Sequence, residues 1–273
     1  LLSAYFTEPK LSLSFTFQAK YLGMSPWQCP GLFAMIPYIE HQFGIYHVRG
    51  GLNRISEKMA ETAARHGVRV HLSTPVSQLL LDGRKVRGVR LADGREEHGD
   101  AVIVNADFGH AMNSLVPENF LRKYSPQRLR KKRFSCSTFM LYLGLDKLYE
   151  MPHHTIFFAK DYRRNVEDIF GTGRISEDFS FYVHNPSLRD PTLAPPGQSA
   201  VYVLVPVPNL RGATAWGDEA PRMHERVLDA METRAGMSDI RRHIVAEKMV
   251  TPLDWEQEYN VYAGATFNLA HDF

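Results

Sequence analysis

The stretch Gly50-Gly-Leu-Asn-Arg-Ile-Ser-Glu-Lys-Met-Ala-Glu-Thr-Ala-Ala-Arg-His-Gly67, with Val68-Arg-Val-His-Leu72 and Val76-Ser-Gln-Leu-Leu-Leu-Asp-Gly83 behind it, decides the fold class. Ile55, Met59 and Ala63 recur every four residues, so they share one face of a helix that Gly50-Gly51 opens and Gly67 closes as a C-terminal cap. Val68, Val70 and Leu72 then alternate with polar residues, which predicts a strand. Val76 to Leu81 predicts another, ended by Asp82-Gly83, with Lys85 to Leu91 as its hairpin partner and a second turn at Asp93-Gly94. Ala101-Val-Ile-Val104 predicts a continuous buried strand running into Asn105-Ala-Asp107. A glycine pair, helix, strand, meander and apolar strand ending in small and polar residues is the order in which nucleotide-binding α/β domains offer a ligand at strand ends. The dinucleotide fingerprint G-x-G-x-x-G is absent, because Gly171-Thr-Gly173 follows a polar stretch and lacks the third glycine.

Before this stretch, Leu11 to Gly44 is rich in aromatic residues and Met, broken by Pro26, Pro30 and Pro37, and predicts short helices joined by tight turns. Such apolar stripes either pack a core or line an apolar cavity. After it, Asn113 to Arg133 predicts a polar helix whose basic run, Arg122 to Arg133, is a solvated face or a contact for anionic lipid headgroups. Ser137–Leu145, Ser199–Val207 and Ile244–Val250 predict strands, Asp218–Ala235 an amphipathic helix, and Tyr182 to Gly197 a proline-rich connection between strands. Residues 1–45 are expected to form a substrate- or membrane-facing segment and 46–112 part of the nucleotide-binding domain. Residues 113–273 are expected to form mainly a substrate domain that returns toward the first domain near its end.

Composition bounds the function classes. The 273 residues carry a formal net charge of +2, with 44% hydrophobic and 23% charged residues. That balance suits a globular protein and gives no support for nucleic-acid binding. Cys29 and Cys136 form no C-x-x-C pair, so neither a disulfide framework nor a zinc site is implied. No H-E-x-x-H, P-loop or G-x-S-x-G occurs. His153-His154 is the most conspicuous histidine pair; adjacent side chains point apart in regular structure, which argues against joint ligation of one ion, and the expected metal content is none. Both ends, Leu1 and Phe273, look cut from a longer chain.

Several phrases taken together resemble bacterial phytoene desaturases, the carotenoid-desaturase branch of the flavin amine oxidase superfamily. They are Phe15-Thr-Phe-Gln18 with Tyr21-Leu-Gly-Met-Ser-Pro26, Arg49-Gly-Gly51, Val104-Asn-Ala-Asp107, Leu141-Tyr-Leu-Gly144 and His153-His-Thr155. Glu177-Asp-Phe-Ser180, Asp190-Pro-Thr-Leu-Ala-Pro-Pro-Gly197, Tyr202-Val-Leu-Val-Pro206, Thr251-Pro-Leu-Asp254 and Tyr262-Ala-Gly-Ala-Thr-Phe267 continue in the same order. The resemblance implies an α/β with α+β fold, in which an incomplete FAD-binding, Rossmann-like domain carries an inserted mixed-sheet substrate domain. It implies FAD as cofactor, with Gly50 and Gly51 near the isoalloxazine, Val76 near the adenine edge, and Asn105, Ala106 and Asp107 on the adenosine side. It also implies a G-x-G-x-x-G unit before residue 1 and a glycine-rich segment after residue 273, so that this stretch alone is expected to bind FAD weakly or not at all and to lack activity.

The implied reaction removes two hydrogens from a long polyene such as phytoene, with hydride passing to flavin. Alternatives keep the fold and change the substrate to a C30 diapophytoene or squalene-type chain, a hydroxylated carotenoid, or a carotene isomerisation. A non-catalytic flavoprotein-like lipid-binding module and a non-flavin interaction domain are the other classes. A substrate without polar handles needs an apolar channel, for which Phe17, Met24, Phe33, Met35 and Tyr38 are the candidates. His153 and His154 are the candidates for a catalytic role. The partners implied are the apolar polyene, an unidentified electron acceptor, and the membrane surface, with peripheral attachment on the cytoplasmic side.

Overall fold

The computed structural model describes residues 2–16, 19, 22–117, 120–121 and 123–271. The N-terminal part is made of short helices: α1 (Pro9–Ser14), a 3-10 turn over Gly31–Ala34, and α2 (Met35–Phe43). Pro9 sits in the first turn of α1, where its missing N–H costs nothing, and the Glu8 carboxylate accepts from the Lys10 amide. Gly44, at φ 81°, ends α2.

Helix α3 (Asn53–Arg65) follows, with Gly67 at φ 82° beyond its end, as the sequence predicts; the helix proper starts at Asn53 because Gly50 and Gly51, at φ 84° and 91°, form a turn ahead of it. The antiparallel meander β1 (Val76–Asp82), β2 (Lys85–Leu91) and β3 (Glu96–His98) also forms as predicted. Gly88 is obligatory in it, since a Cβ there would lie 2.0 Å from the Glu97 carbonyl oxygen.

Two predicted strands of the opening stretch do not form. Val68–Leu72 and Ala101–Val104 belong to no ladder among the described residues, and Leu72 and Ile103 are 83% and 93% exposed. An alternating run such as Val68–Leu72 needs a strand on at least one side and a continuous one such as Ala101–Val104 needs neighbours on both, and here no described strand lies beside either segment to accept its backbone. The polar helix expected over 113–133 is also corrected. Its described residues hold one turn over Ala111–Leu115 and the short helix α4 (Pro126–Leu129), which Pro126 starts.

The centre of the molecule is a five-stranded antiparallel sheet in the order β5-β6-β7-β4-β8, formed by β4 (Ser137–Leu145), β5 (His154–Phe157), β6 (Phe181–His184), β7 (Ser199–Val207) and β8 (Ile244–Val250). Strand β6 falls inside what the sequence reads as a proline-rich connection. Burial along β7 alternates at every residue, so Val201, Val203, Val205 and Val207 face inward and Ala200, Tyr202 and Leu204 outward. Pro206 is tolerated because pairing with β6 ends at Leu204. The inward face, with Phe139, Leu141 and Leu143 of β4 and Phe181 and Val183 of β6, forms one core with helix α5 (Trp216–Thr233). Trp216, Ala220, Met223, Val227 and Met231 recur at three- and four-residue steps and make the buried face of α5. Helix α6 (Pro252–Gln257), which a Thr251/Asp254 capping box starts, hangs from β8.

Because the core occupies one face of the sheet, the other is free to build a site. The sheet repeat puts Tyr142, Tyr202, His184 and His154 side by side on it, since Tyr142 pairs with Tyr202, Tyr202 with His184, and His184 with His154.

Candidate active site: an apolar cavity with a histidine wall

The segment Ile45–Leu52 crosses this outward face and leaves a cavity of about 840 Å³ between them. The volume lies within the range of about 300–1,000 Å³ usual for small-molecule sites. Its floor is Tyr142, Gly144, Tyr202, Ala200 and Ala246, its roof Ile45, Tyr46, Val48, Gly51 and Leu52, and one wall His153, His154 and His184. Small residues on the floor, Gly144, Ala200 and Ala246, make the depth.

Asp190 fastens the roof to the sheet domain. Its carboxylate accepts from the Gly50 amide at 2.7 Å and from His47 Nε2 at 2.9 Å, while the Thr192 amide donates at 3.1 Å and the Thr192 hydroxyl donates as well. These donors, Thr192 first and then Gly50 and His47, hold the Asp190 carboxyl well below the usual carboxylate range. The Asp190-Pro-Thr192 phrase is therefore a clamp on the glycine pair.

The histidine wall corrects the expectation that His153 and His154 point apart. His153 lies in a bend before β5, where strand alternation does not apply, and its Nδ1 is 2.9 Å from His154 Nε2. His154 Nδ1 bonds the Tyr182 hydroxyl, and the His154 and His184 rings stack at 4.9 Å. Ligand nitrogens of His153, His154 and His184 all fall within 4.8 Å of one another. Burial lowers the pKa of all three, and histidine neighbours add to it; His184 is pushed down to about 4. They are neutral at pH 7. His153 Nε2 is buried with no hydrogen-bond partner among the described residues, which costs on the order of 1–3 kcal/mol. Sequence reading missed His184; the signal was the Tyr182-Val183-His184 alternation, which puts two polar rings on one face.

The other anticipated residues are distributed differently. Phe17 lies outside the described residues. Met24 is buried away from the cavity, Phe33 is half-buried, and Met35 and Tyr38 are exposed on α2, so none of these four lines it. Val76 begins β1 at the surface, and Asn105 and Ala106 are exposed. Asp107 Oδ1 accepts from the His110 amide at 2.8 Å and from the Tyr262 amide at 3.2 Å, so it caps a helical turn and ties it to a distant part of the chain. Gly51 lines the cavity, Gly50 holds Asp190, and a Cβ built on Gly51 would meet only Leu193 Cδ2, at 3.5 Å. The backbone at Gly51 therefore leaves room for the close approach of a flat ligand, whereas a Cβ on Gly50 would press on the Arg54 side chain at 3.1 Å.

The chain belongs to the flavin containing amine oxidoreductase family, whose model matches residues 2–271. It is 53% identical over 272 residues to a 4,4'-diapophytoene desaturase (4,4'-diapolycopene-forming) of Methylomonas sp, covering 100% of this chain and 53% of that protein. It is 36% identical to an all-trans-zeta-carotene desaturase and 37% identical to a zeta-carotene-forming phytoene desaturase, both of Myxococcus xanthus, covering 99% of this chain and 52% of each relative. The chain thus spans about half the length of the curated relatives it matches. Among solved structures, an oxidoreductase from Methanosarcina mazei matches with a TM-score of 0.55 at 19% identity, over 86% of this chain and 50% of that one, a likeness of fold.

Proposed function

We propose that this chain is the substrate-holding part of an FAD-dependent desaturase of linear polyene isoprenoids in carotenoid biosynthesis. The observation that carries the reading is the apolar cavity that opens on Gly51, on a chain whose curated relatives desaturate such hydrocarbons. The chemistry FAD supplies when bound is hydride acceptance, which no side chain offers. The chain's own residues do the rest. Tyr142 and Tyr202 give a flat floor to a conjugated chain, Ile45, Val48 and Leu52 offer it apolar contacts from above, and Asp190 fixes the glycine pair against the cavity. Each buried methylene of the substrate contributes about 0.8 kcal/mol, which is the whole of its recognition.

A C30 chain of the diapophytoene type is the substrate this reading favours on one relative alone, the 53% identical Methylomonas protein, since the staphylococcal diapophytoene desaturases, at 33–35%, stand no nearer than the two Myxococcus relatives at 36–37%. The apolar residues Leu32, Met35, Tyr38, Ile39 and Phe43 are exposed along the 3-10 turn and α2, and Arg128, Arg130, Lys131 and Lys132 are exposed around α4. Those two features support peripheral attachment to the cytoplasmic face of a membrane, where such a hydrocarbon resides. No described helix is long and apolar enough to cross a membrane.

The test fills the cavity. Ala246 lies on its floor and is exposed, so Ala246→Trp plugs it without touching the core. In flavin-loaded enzyme we expect Ala246→Trp to lower formation of the longer-wavelength polyene at least tenfold on both C30 and C40 substrates, with an unchanged melting temperature. Wild-type rates on the two substrates decide chain length. Full activity in the plugged variant would place the substrate elsewhere.

A further inference from the structure

The histidine wall has a property that hydrocarbon binding does not need. An apolar substrate gains nothing from three imidazoles, yet three converge on one point at the edge of the sheet. His154 and His184 face each other directly across the β5–β6 ladder, and directly opposed side chains on one sheet face have Cβ atoms about 4.5–5.5 Å apart, a spacing that two imidazoles can bridge through one ion. His153 joins them from the bend before β5. Whichever tautomer His154 adopts toward Tyr182, the 2.9 Å contact uses one nitrogen of His153 and leaves its Nε2 buried and unmatched. With the proton on His153 Nδ1, that unmatched atom is a lone pair.

We propose that His153, His154 and His184 form a binding site for a divalent first-row transition ion, with zinc as its probe. Imidazole nitrogen suits this class of ion, and three protein ligands leave a fourth position open, here toward the cavity. The ligand nitrogens, within 4.8 Å of one another, must close to the spacing of about 3.4 Å that Zn–N bonds of about 2.1 Å give in a tetrahedron. Rotation about the broad imidazole χ2 torsions supplies that movement. A second layer is already built. The Tyr182 hydroxyl holds His154 Nδ1, so His154 Nε2 is the ligand atom and must exchange its contact with His153 Nδ1 for the ion, while His47, itself fixed by Asp190, packs edge-on against His153 at 5.2 Å. The ion would fasten β5 to β6 at the sheet edge. The site stands independently of the desaturase reading, since its test measures no turnover.

The purified chain, stripped with a chelator and dialysed, is titrated with zinc against a chromophoric competitor. We expect one tightest equivalent with a micromolar or lower Kd. His184→Ala and His184→Gln should each weaken it at least tenfold, and His66→Ala, outside the cluster at the end of α3, should leave it unchanged. X-ray absorption on the zinc-loaded wild-type chain should show three imidazole nitrogens at about 2.0–2.1 Å, a readout that needs no variant to fold. Zinc affinity that is unaltered in both His184 variants, or a zinc shell with fewer than two imidazoles, overturns the site.

Discussion

Leu141 and Tyr142 are neighbours in β4 with opposite duties, and exchanging each for alanine separates the core from the cavity. Leu141 is fully buried on the inward face and Tyr142 is 38% exposed on the cavity floor. Leu141→Ala removes three carbons; at about 0.8 kcal/mol each the transfer loss is about 2.4 kcal/mol, and the void left beneath α5 brings the total into the range of about 2–5 kcal/mol. At roughly 2–4 °C per kcal/mol for a chain of this size, the melting temperature should fall by about 4–20 °C. Tyr142→Ala loses its ring contact with Tyr202, 5.8 Å away, worth about 0.5–1.5 kcal/mol, and opens no internal void. Its melting temperature should stay within a few degrees of wild type, while its affinity for a fluorescent linear polyene, read by titration at a temperature where both variants are folded, should fall several-fold. Leu141→Ala should bind the polyene normally at that temperature. If Tyr142→Ala melts as early as Leu141→Ala, or if the two variants lose polyene affinity alike, the two-faced reading of the sheet is wrong.

Three further outcomes follow from named contacts. Because the Asp190 carboxyl is depressed in the folded state, its clamp stabilises above the unfolded value near pH 3.9 and is lost as pH falls toward the folded value; the melting-temperature gap between wild type and Asp190→Asn should be present at pH 7 and shrink below about pH 4. A gap that widened on acidification would reverse the sign. Gly88→Ala drives a Cβ into the Glu97 carbonyl and should cost at least about 1–3 kcal/mol, seen as rapid amide exchange in β3, whereas Gly99→Ala, just past β3 with no positive φ and only the Ala101 carbonyl oxygen at 3.6 Å, should leave β3 protected. Trp255→Phe deletes the indole hydrogen bond to the Thr138 carbonyl at 3.0 Å and should cost about 0.5–1.5 kcal/mol in urea unfolding, with polyene affinity unchanged because that bond lies outside the cavity.

Much of the fold is written locally. The α3 helix, the β1–β2 hairpin, β4, β7, β8 and α5 each carry their own periodicity and turn residues, so the sequence suffices to place them. Val68–Leu72 and Ala101–Val104 carry the same kind of pattern, but a strand exists only with a neighbour, and pattern alone does not supply one. Strand β6 was hidden because the prolines that follow it dominate the reading of its segment. The site was harder still. Gly51 and the pair His153-His154 were legible as unusual residues, but the cavity depends on register across four strands, which brings Tyr142, Tyr202, His184 and His154 into one row. Asp190 is likewise unreadable as a clamp until the loop that carries it reaches Gly50.

The most direct test of the central claim is anaerobic mixing of the flavin-loaded enzyme with 4,4'-diapophytoene, followed by absorbance. Oxidised flavin should bleach in step with the appearance of a longer-wavelength polyene, with both changes suppressed in Ala246→Trp. Bleaching without a new polyene, or equal bleaching in the plugged variant, would contradict it.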